Sequence, residues 1–326
     1  MPIFLPVAGV SLSIFYLLAI GGSVGLLSGL IGVGGGFLMT PALMFIGVPP
    51  TVAAASGSCQ MVATSSSGVA AHFRLGNVDA RMGGVLLAGG LVGAAFGVRA
   101  IKLLRELGEA DLVITLTYIL VLGTLGVYMF FQSLRTLSRG AMVRKSRKAR
   151  RTLTLLDRLP WQTDFPRSQV RHSVLLPLTL AALVGLLAAI MGVGGGFIML
   201  PMMVYLLCMP THVAVGTDLF QILFLCVGTT YMQATTNQTV DLILALGLAV
   251  ASAVGAQIGA RLSRLFRGEQ LIIVLASVVL LVTIKMVSGI ILTPSTLLNP
   301  VESHSHQKTS QSVPVSAPRR ATPGDL

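Results

Sequence analysis

The chain has 326 residues, of which 54% are hydrophobic and only 10% charged, and a formal net charge of +12. Soluble domains carry about 25% charged residues, so this chain cannot cover a water-facing surface and reads as an integral membrane protein. The basic excess does not indicate a nucleic-acid partner, because eleven of the 23 Lys and Arg residues lie between Arg135 and Arg171, against two acids, Asp157 and Asp164.

In chain order, the first half holds apolar segments at about 12–31, 34–47, 52–72, 81–104 and 111–132. The first run has no basic n-region and no small-residue cleavage site, so it is expected to be a retained helix. A basic stretch follows, densest at Arg144-Lys145-Ser146-Arg147-Lys148-Ala149-Arg150-Arg151. A short connection this basic beside membrane spans marks the cytoplasmic side and suits anionic lipid. The second half repeats the pattern at about 174–191, 195–208, 212–234, 241–266 and 270–292. The resulting division is a first transmembrane repeat at 1–132, a basic cytoplasmic loop at 133–173, a second repeat at 174–293 and a disordered tail at 294–326. The tail is rich in Ser, Pro and Gln, and its His304 and His306 read as solvated.

One phrase occurs twice. Ile31 to Pro41 reads IGVGGGFLMTP and Met191 to Pro201 reads MGVGGGFIMLP, with eight of eleven positions identical at an offset of 160. Pro50-Thr51 and Pro210-Thr211 keep that offset, whereas Val78-Asp79 with Val240-Asp241, and Gly93, Gly97 and Arg99 with Gly255, Gly259 and Arg261, stand 162 apart. The segments that follow the glycines, 34–47 and 195–208, are too short to cross a bilayer upright, which takes about 20 residues. Each first pair is therefore two half-helices meeting at a glycine turn, or one broken crossing. Placing the basic loop, the His72–Arg81 loop and the Arg261–Arg267 loop on one side favours five crossings per half and inverted repeats over four and parallel ones. The expected fold is an all-α polytopic membrane protein of two homologous halves, each of about five hydrophobic segments, with glycine-broken helices.

A glycine-interrupted segment repeated in two halves points to a transporter and to its substrate site. Candidate substrate-binding residues are Gly34, Gly35 and Gly36 with Ser56, Ser58 and Gln60 in the first half, and Gly194, Gly195 and Gly196 with Thr217, Asp218 and Gln221 in the second. Gly57-Ser58-Cys59-Gln60 reads as the counterpart of Gly216-Thr217-Asp218-Leu219. Hydroxyls and amides donate to a dehydrated anion, and a half-helix N-terminus adds backbone N–H groups and a positive dipole end. For a single hydroxyl, helix packing is the simpler reading; Gln60 and Gln221 have more to satisfy. Asp218 divides evenly between proton relay and structural hydrogen bonding. Lys285 reads as reaching for an interface, and His72 and His212 as interfacial. Cys59, Cys208 and Cys226 lack metal-type spacing. The glycine run lacks the third glycine of a dinucleotide loop, and no G-x-x-x-x-G-K-[ST] sequence is present. No cofactor, metal or nucleophile–base pair is implied, so no enzyme is expected. A homo-oligomer is left open.

The two GxGGGFxxxP phrases, the run from Ala214 to Gln221 (AVGTDLFQ) and the repeated Val-Asp resemble the TauE/SafE family of sulfite and organosulfur-anion permeases over nearly all of 12–292. The resemblance implies secondary transport of small anions, sulfite or sulfonates foremost, in the cell inner membrane. Ser56-Gly57-Ser58-Cys59-Gln60 departs from the family pattern in the first half. The alternative is a non-transporting scaffold or sensor subunit that docks a partner through the basic loop.

Overall fold

The computed structural model describes residues 2–31, 36–138, 162–165, 167–168, 170–262 and 268–292. The tail 294–326, and most of the expected 133–173 loop, lie outside the described residues, as do Gly34 and Gly35. The chain is helical and polytopic, as expected, with one addition. Each half opens with a two-stranded antiparallel hairpin that the sequence reading did not anticipate. In the first half, β1 (Pro2–Leu5) pairs with β2 (Val10–Ser13). Then come α1 (Ile14–Ile31), α2 (Gly36–Phe45), α3 (Pro50–Arg74), α4 (Ala80–Glu106) and α5 (Ala110–Ser138). The second half repeats this order. β3 (Gln162–Phe165) pairs with β4 (Val170–Ser173), followed by α6 (Leu175–Met191), α7 (Gly196–Tyr205), α8 (Thr211–Met232), a π-helical turn (Gln233–Asn237), α9 (Leu242–Leu262) and α10 (Gly268–Leu292). The hairpin registers, Pro2 with Ser13 and Gln162 with Ser173, keep the offset of 160 seen in the glycine phrases.

Among the described residues four helices are long and apolar enough to span a bilayer by length and composition: Ala80–Glu106, Ala110–Tyr128, Thr211–Asn237 and Leu242–Gly259. The exposed side of α9 shows why lipid is required. Leu242, Leu246, Val250, Val254 and Ile258 form one outward stripe at a spacing of four, while Leu244, Leu248 and Ser252 are buried. An apolar stripe of this length is stable only against lipid or a partner. By contrast, α2 and α7 have ten residues each, about 15 Å of rise, roughly half a bilayer core.

The halves are interlocked. α1 packs on α9 and α4 packs on α6, so the first helix of each half lies on the fourth helix of the other. Small residues set the approach. A Cβ on Gly93 would overlap the Ala182 carbonyl, one on Gly255 the Gly22 carbonyl, and one on Gly97 would stand 2.8 Å from the Leu186 carbonyl oxygen. The G-x-x-x-G faces thus bring backbones together without a hydrophobic driving force between helices. Gly89, Gly93 and Gly97 face Leu178, Ala182 and Leu186 in turn, so α4 and α6 run parallel. Gly25 and Gly29 face Ser252 and Ala256, so α1 and α9 also run parallel. In contrast, Gly68 meets Leu219 while His72 meets Gly216, so the counterparts α3 and α8 run antiparallel.

Two aspartates clasp the interlock. Asp79 caps α4, its Oδ1 accepting from the Arg81 and Met82 backbone at 3.1 Å each. Its Oδ2 accepts from the backbone N–H and hydroxyl of Ser168, in the turn of the second half's hairpin, at 3.0 and 2.6 Å. Arg167 of the same turn donates to the Val78 carbonyl at 2.8 Å. Asp241 does the corresponding work at α9: its Oδ1 accepts from Leu244 N at 3.1 Å, and its Oδ2 from Val7 N, in the turn of the first hairpin, at 3.2 Å. The repeated Val-Asp is therefore a helix cap that also holds the other half's hairpin. Asp79→Ala removes the cap and strands the buried Ser168 donors. It is expected to cost about 1–3 kcal/mol, read as a lower melting temperature in detergent, with Asp79→Asn retaining more. An unchanged melting temperature for Asp79→Ala would contradict the clasp.

Candidate functional site where the glycine phrases meet

The second phrase turns the chain sharply between α6 and α7. Gly192, Gly194 and Gly195 have φ of 71°, 67° and 79°, a left-handed run that side-chain-bearing residues seldom adopt. The turn is also tightly enclosed. A Cβ on Gly192 would overlap the Ala54 carbonyl of α3, and one on Gly195 would lie 2.6 Å from Val184 Cγ1. Buried Tyr118 of α5 donates its hydroxyl to the Met191 carbonyl, holding the last turn of α6.

The two phrases converge. Phe37 and Phe197, counterparts at the offset of 160, stack with ring centroids 5.4 Å apart. Gly36 packs directly under the Met61 thioether, and a Cβ on Gly194 would come within 3.5 Å of Met61 Cε. The amino ends of α2 and α7 thus lie on either side of one methionine of α3.

The polar candidates around this junction separate into two sets. Ser56 Oγ accepts from Asp241 N at 3.1 Å, and Thr217 Oγ1 accepts from Asp79 N at 3.0 Å. Ser58 donates to the Ala54 carbonyl at 3.3 Å, and Gln60 Nε2 donates to Ser252 Oγ at 2.6 Å. The second set lacks partners. Asp218 is 3% exposed and Gln221 1% exposed, yet Asp218 Oδ1 and both polar atoms of the Gln221 amide have no hydrogen-bond partner. Gln60 Oε1 is also without one. Asp218 Oδ2 lies 2.9 Å from where a Cβ on Gly196 would stand, so the carboxyl is aimed at the first residue of α7. A buried carboxylate without a partner is expensive at membrane depth, and a buried amide without one costs about 1–3 kcal/mol. Lys285 lies elsewhere, its ammonium 4.7 Å from the centroid of the Phe45 ring.

The symmetric bonds from the two Asp N–H groups correct one reading. Ser56 matches Thr217, an offset of 161, so Gly57 matches Asp218 and Gln60 matches Gln221; the expected pairing of Ser58 with Thr217 is displaced by two residues. Hydroxyls recur so densely along 56–67 that sequence comparison cannot choose among neighbouring registers. The reading also missed Ser252, Ser168 and Val7, which carry no repeated residue type and lie far in sequence from the groups they bond.

Fold and junction together define a polytopic helical membrane protein of transporter class, with half-length helices meeting between two interlocked repeats. The chain belongs to the sulfite exporter TauE/SafE family, whose model matches residues 17–286. It is 25% identical over 285 residues to "Probable membrane transporter protein YunE" of Bacillus subtilis, covering 85% of this chain and 98% of that protein. It is 26% identical over 264 residues to "Probable membrane transporter protein YjnA" of the same organism, covering 81% and 96%. A shorter match, 32% over 91 residues, joins it to "Sulfite exporter TauE/SafE family protein 3" of Arabidopsis thaliana, covering 28% of this chain and 19% of that one. No solved structure matches the chain.

Proposed function

We propose that this membrane transporter carries small anions, sulfite or organosulfonate-type compounds, across the cell inner membrane, using an ion gradient rather than ATP. The observation that carries the reading is the meeting of the two glycine phrases at Phe37 and Phe197, with the unpartnered Asp218 aimed at the amino end of α7 and the unpartnered Gln221 one turn further along α8. The candidate site comprises Gly34, Gly35, Gly36, Ser56, Ser58 and Gln60 with Gly194, Gly195, Gly196, Thr217, Asp218 and Gln221. A helix N-terminus, hydroxyls and amides hold an anion by partial charges, which lets it leave again.

The topology we assign has the two repeats inverted across the bilayer. The antiparallel course of α3 and α8 supports it, and so does Arg167 at the end of the basic stretch, docked against Val78. The basic stretch from Arg135 to Arg171 is then cytoplasmic, facing anionic lipid. In a cysteine-free background, a cysteine replacing Ser146 should resist an impermeant maleimide added to intact cells and react after permeabilisation. Full labelling from outside would overturn the orientation.

Uptake into proteoliposomes of labelled sulfite, a sulfonate and a small carboxylate, with and without a pH gradient, tests the function. Saturable uptake of a sulfur oxyanion is expected. Protein that moves none of them under any gradient would instead fit a scaffold or sensor subunit.

A further inference from the structure

One hydrogen-bond difference between the two halves falls on the candidate site. Gln60 of α3 and Gln221 of α8 are counterparts at the offset of 161. Gln60 donates to Ser252 Oγ of α9 at 2.6 Å. The counterpart of Ser252 at the offset of 162 is Gly90 of α4. A Cβ on Gly90 would stand 3.5 Å from Gln221 Nε2, so Gln221 points at the place where a serine would have met it and finds no hydroxyl. Both polar atoms of its amide are left unpaired at 1% exposure. One turn earlier on the same face of α8, Asp218 keeps an unpaired oxygen and aims at Gly196, where its first-half counterpart is Gly57, which has no side chain at all.

Resting on the transport reading above, we propose that the anion site is one-sided: Gln221 and Asp218 of the second half touch the transported oxyanion at the amino end of α7, and Gln60 is a structural partner of Ser252. The ligand class follows from the donors and acceptors. The Gln221 amide gives a donor and an acceptor, and the α7 N-terminus gives further donors. An anion can rest against Asp218 only with a proton between the two oxygens. The site therefore takes a small oxyanion that accepts from an amide and shares one hydrogen with a carboxyl group, as hydrogen sulfite does. Glycine at position 90 keeps the amide free for it. Two identical repeats would offer two equal sites or none; a hydroxyl at position 252 and none at position 90 leaves one.

The test supplies the missing hydroxyl. Sulfite is titrated calorimetrically into the detergent-solubilised full chain, with a thermal melt of each variant. Gly90→Ser should keep or raise the melting temperature, because it pairs a buried amide, and should weaken sulfite binding by about tenfold or more, about 1.4 kcal/mol. Gly90→Ala adds the carbon without the hydroxyl and separates crowding by Leu225, 3.3 Å from that carbon, from hydrogen bonding; it should bind within about twofold of wild type. Ser252→Ala should melt earlier, because it strands Gln60, yet bind within about twofold. Unchanged affinity in Gly90→Ser, or a tenfold loss in Ser252→Ala, would overturn the one-sided site while leaving transport itself intact. Wild-type protein that binds and carries no sulfur oxyanion would remove the transport reading and this proposal together.

Discussion

Gly192→Ala is expected to leave little folded protein in the membrane. The position has φ of 71°, which costs a side-chain-bearing residue about 1–3 kcal/mol. Its new Cβ would also overlap the Ala54 carbonyl, and a backbone atom cannot rotate aside. Overpacking of this kind adds about 1–3 kcal/mol more. Against a total stability of about 5–15 kcal/mol, the sum is enough to deplete the monodisperse peak after detergent extraction. Gly22→Ala is the matched control. Its Cβ would meet nothing within 4 Å, and the change should be neutral or slightly stabilising. Equal yields and melting temperatures for the two variants would show that the close approach of the turn to α3 is not a constraint.

Asp218→Asn is expected to separate substrate movement from proton movement. The carboxyl is buried, has an unpaired oxygen and stands against the amino end of α7. Asparagine keeps the shape and the hydrogen-bonding capacity but cannot take up or release a proton. If Asp218 carries the coupling proton, the variant should lose uptake driven by a pH gradient while still exchanging internal for external labelled sulfite. Gradient-driven uptake that persists at the wild-type rate would reduce Asp218 to a structural group. Thr217 makes the opposite expectation concrete, since its hydroxyl already accepts from Asp79 N.

Much of this arrangement could be read from the chain before any coordinates. The repeated GVGGG forced a break because four glycines in five residues have no reason to stay helical, and Gly194 and Gly195 do take left-handed φ. Gly93-xxx-Gly97 and Gly255-xxx-Gly259 announced close helix contacts, and Gly93, Gly97 and Gly255 make them. Which helices they join was not legible. A small-residue stripe fits any similar stripe, and the choice of α6 for α4 and of α1 for α9 is a long-range matter of topology. The hairpins escaped because strands of four residues such as Pro2–Leu5 have no periodicity long enough to notice. Asp79 and Asp241 were visible as repeated residues, but their role depends on Ser168 and Val7, which lie far off in sequence. The contrast between Gln60 and Gln221 was hidden for the same reason, since it turns on Ser252 and Gly90 across another helix.

The central claim is that this chain moves a small sulfur oxyanion through the junction of its two glycine phrases. Counterflow tests it most directly: proteoliposomes of the purified chain are loaded with unlabelled sulfite and diluted into a trace of labelled sulfite, with Gly195→Leu as the blocked comparison, because a Cβ there already lies 2.6 Å from Val184. The account predicts a transient accumulation of label in wild-type vesicles and none in vesicles with Gly195→Leu; no accumulation by wild type, or equal accumulation by both, would contradict it.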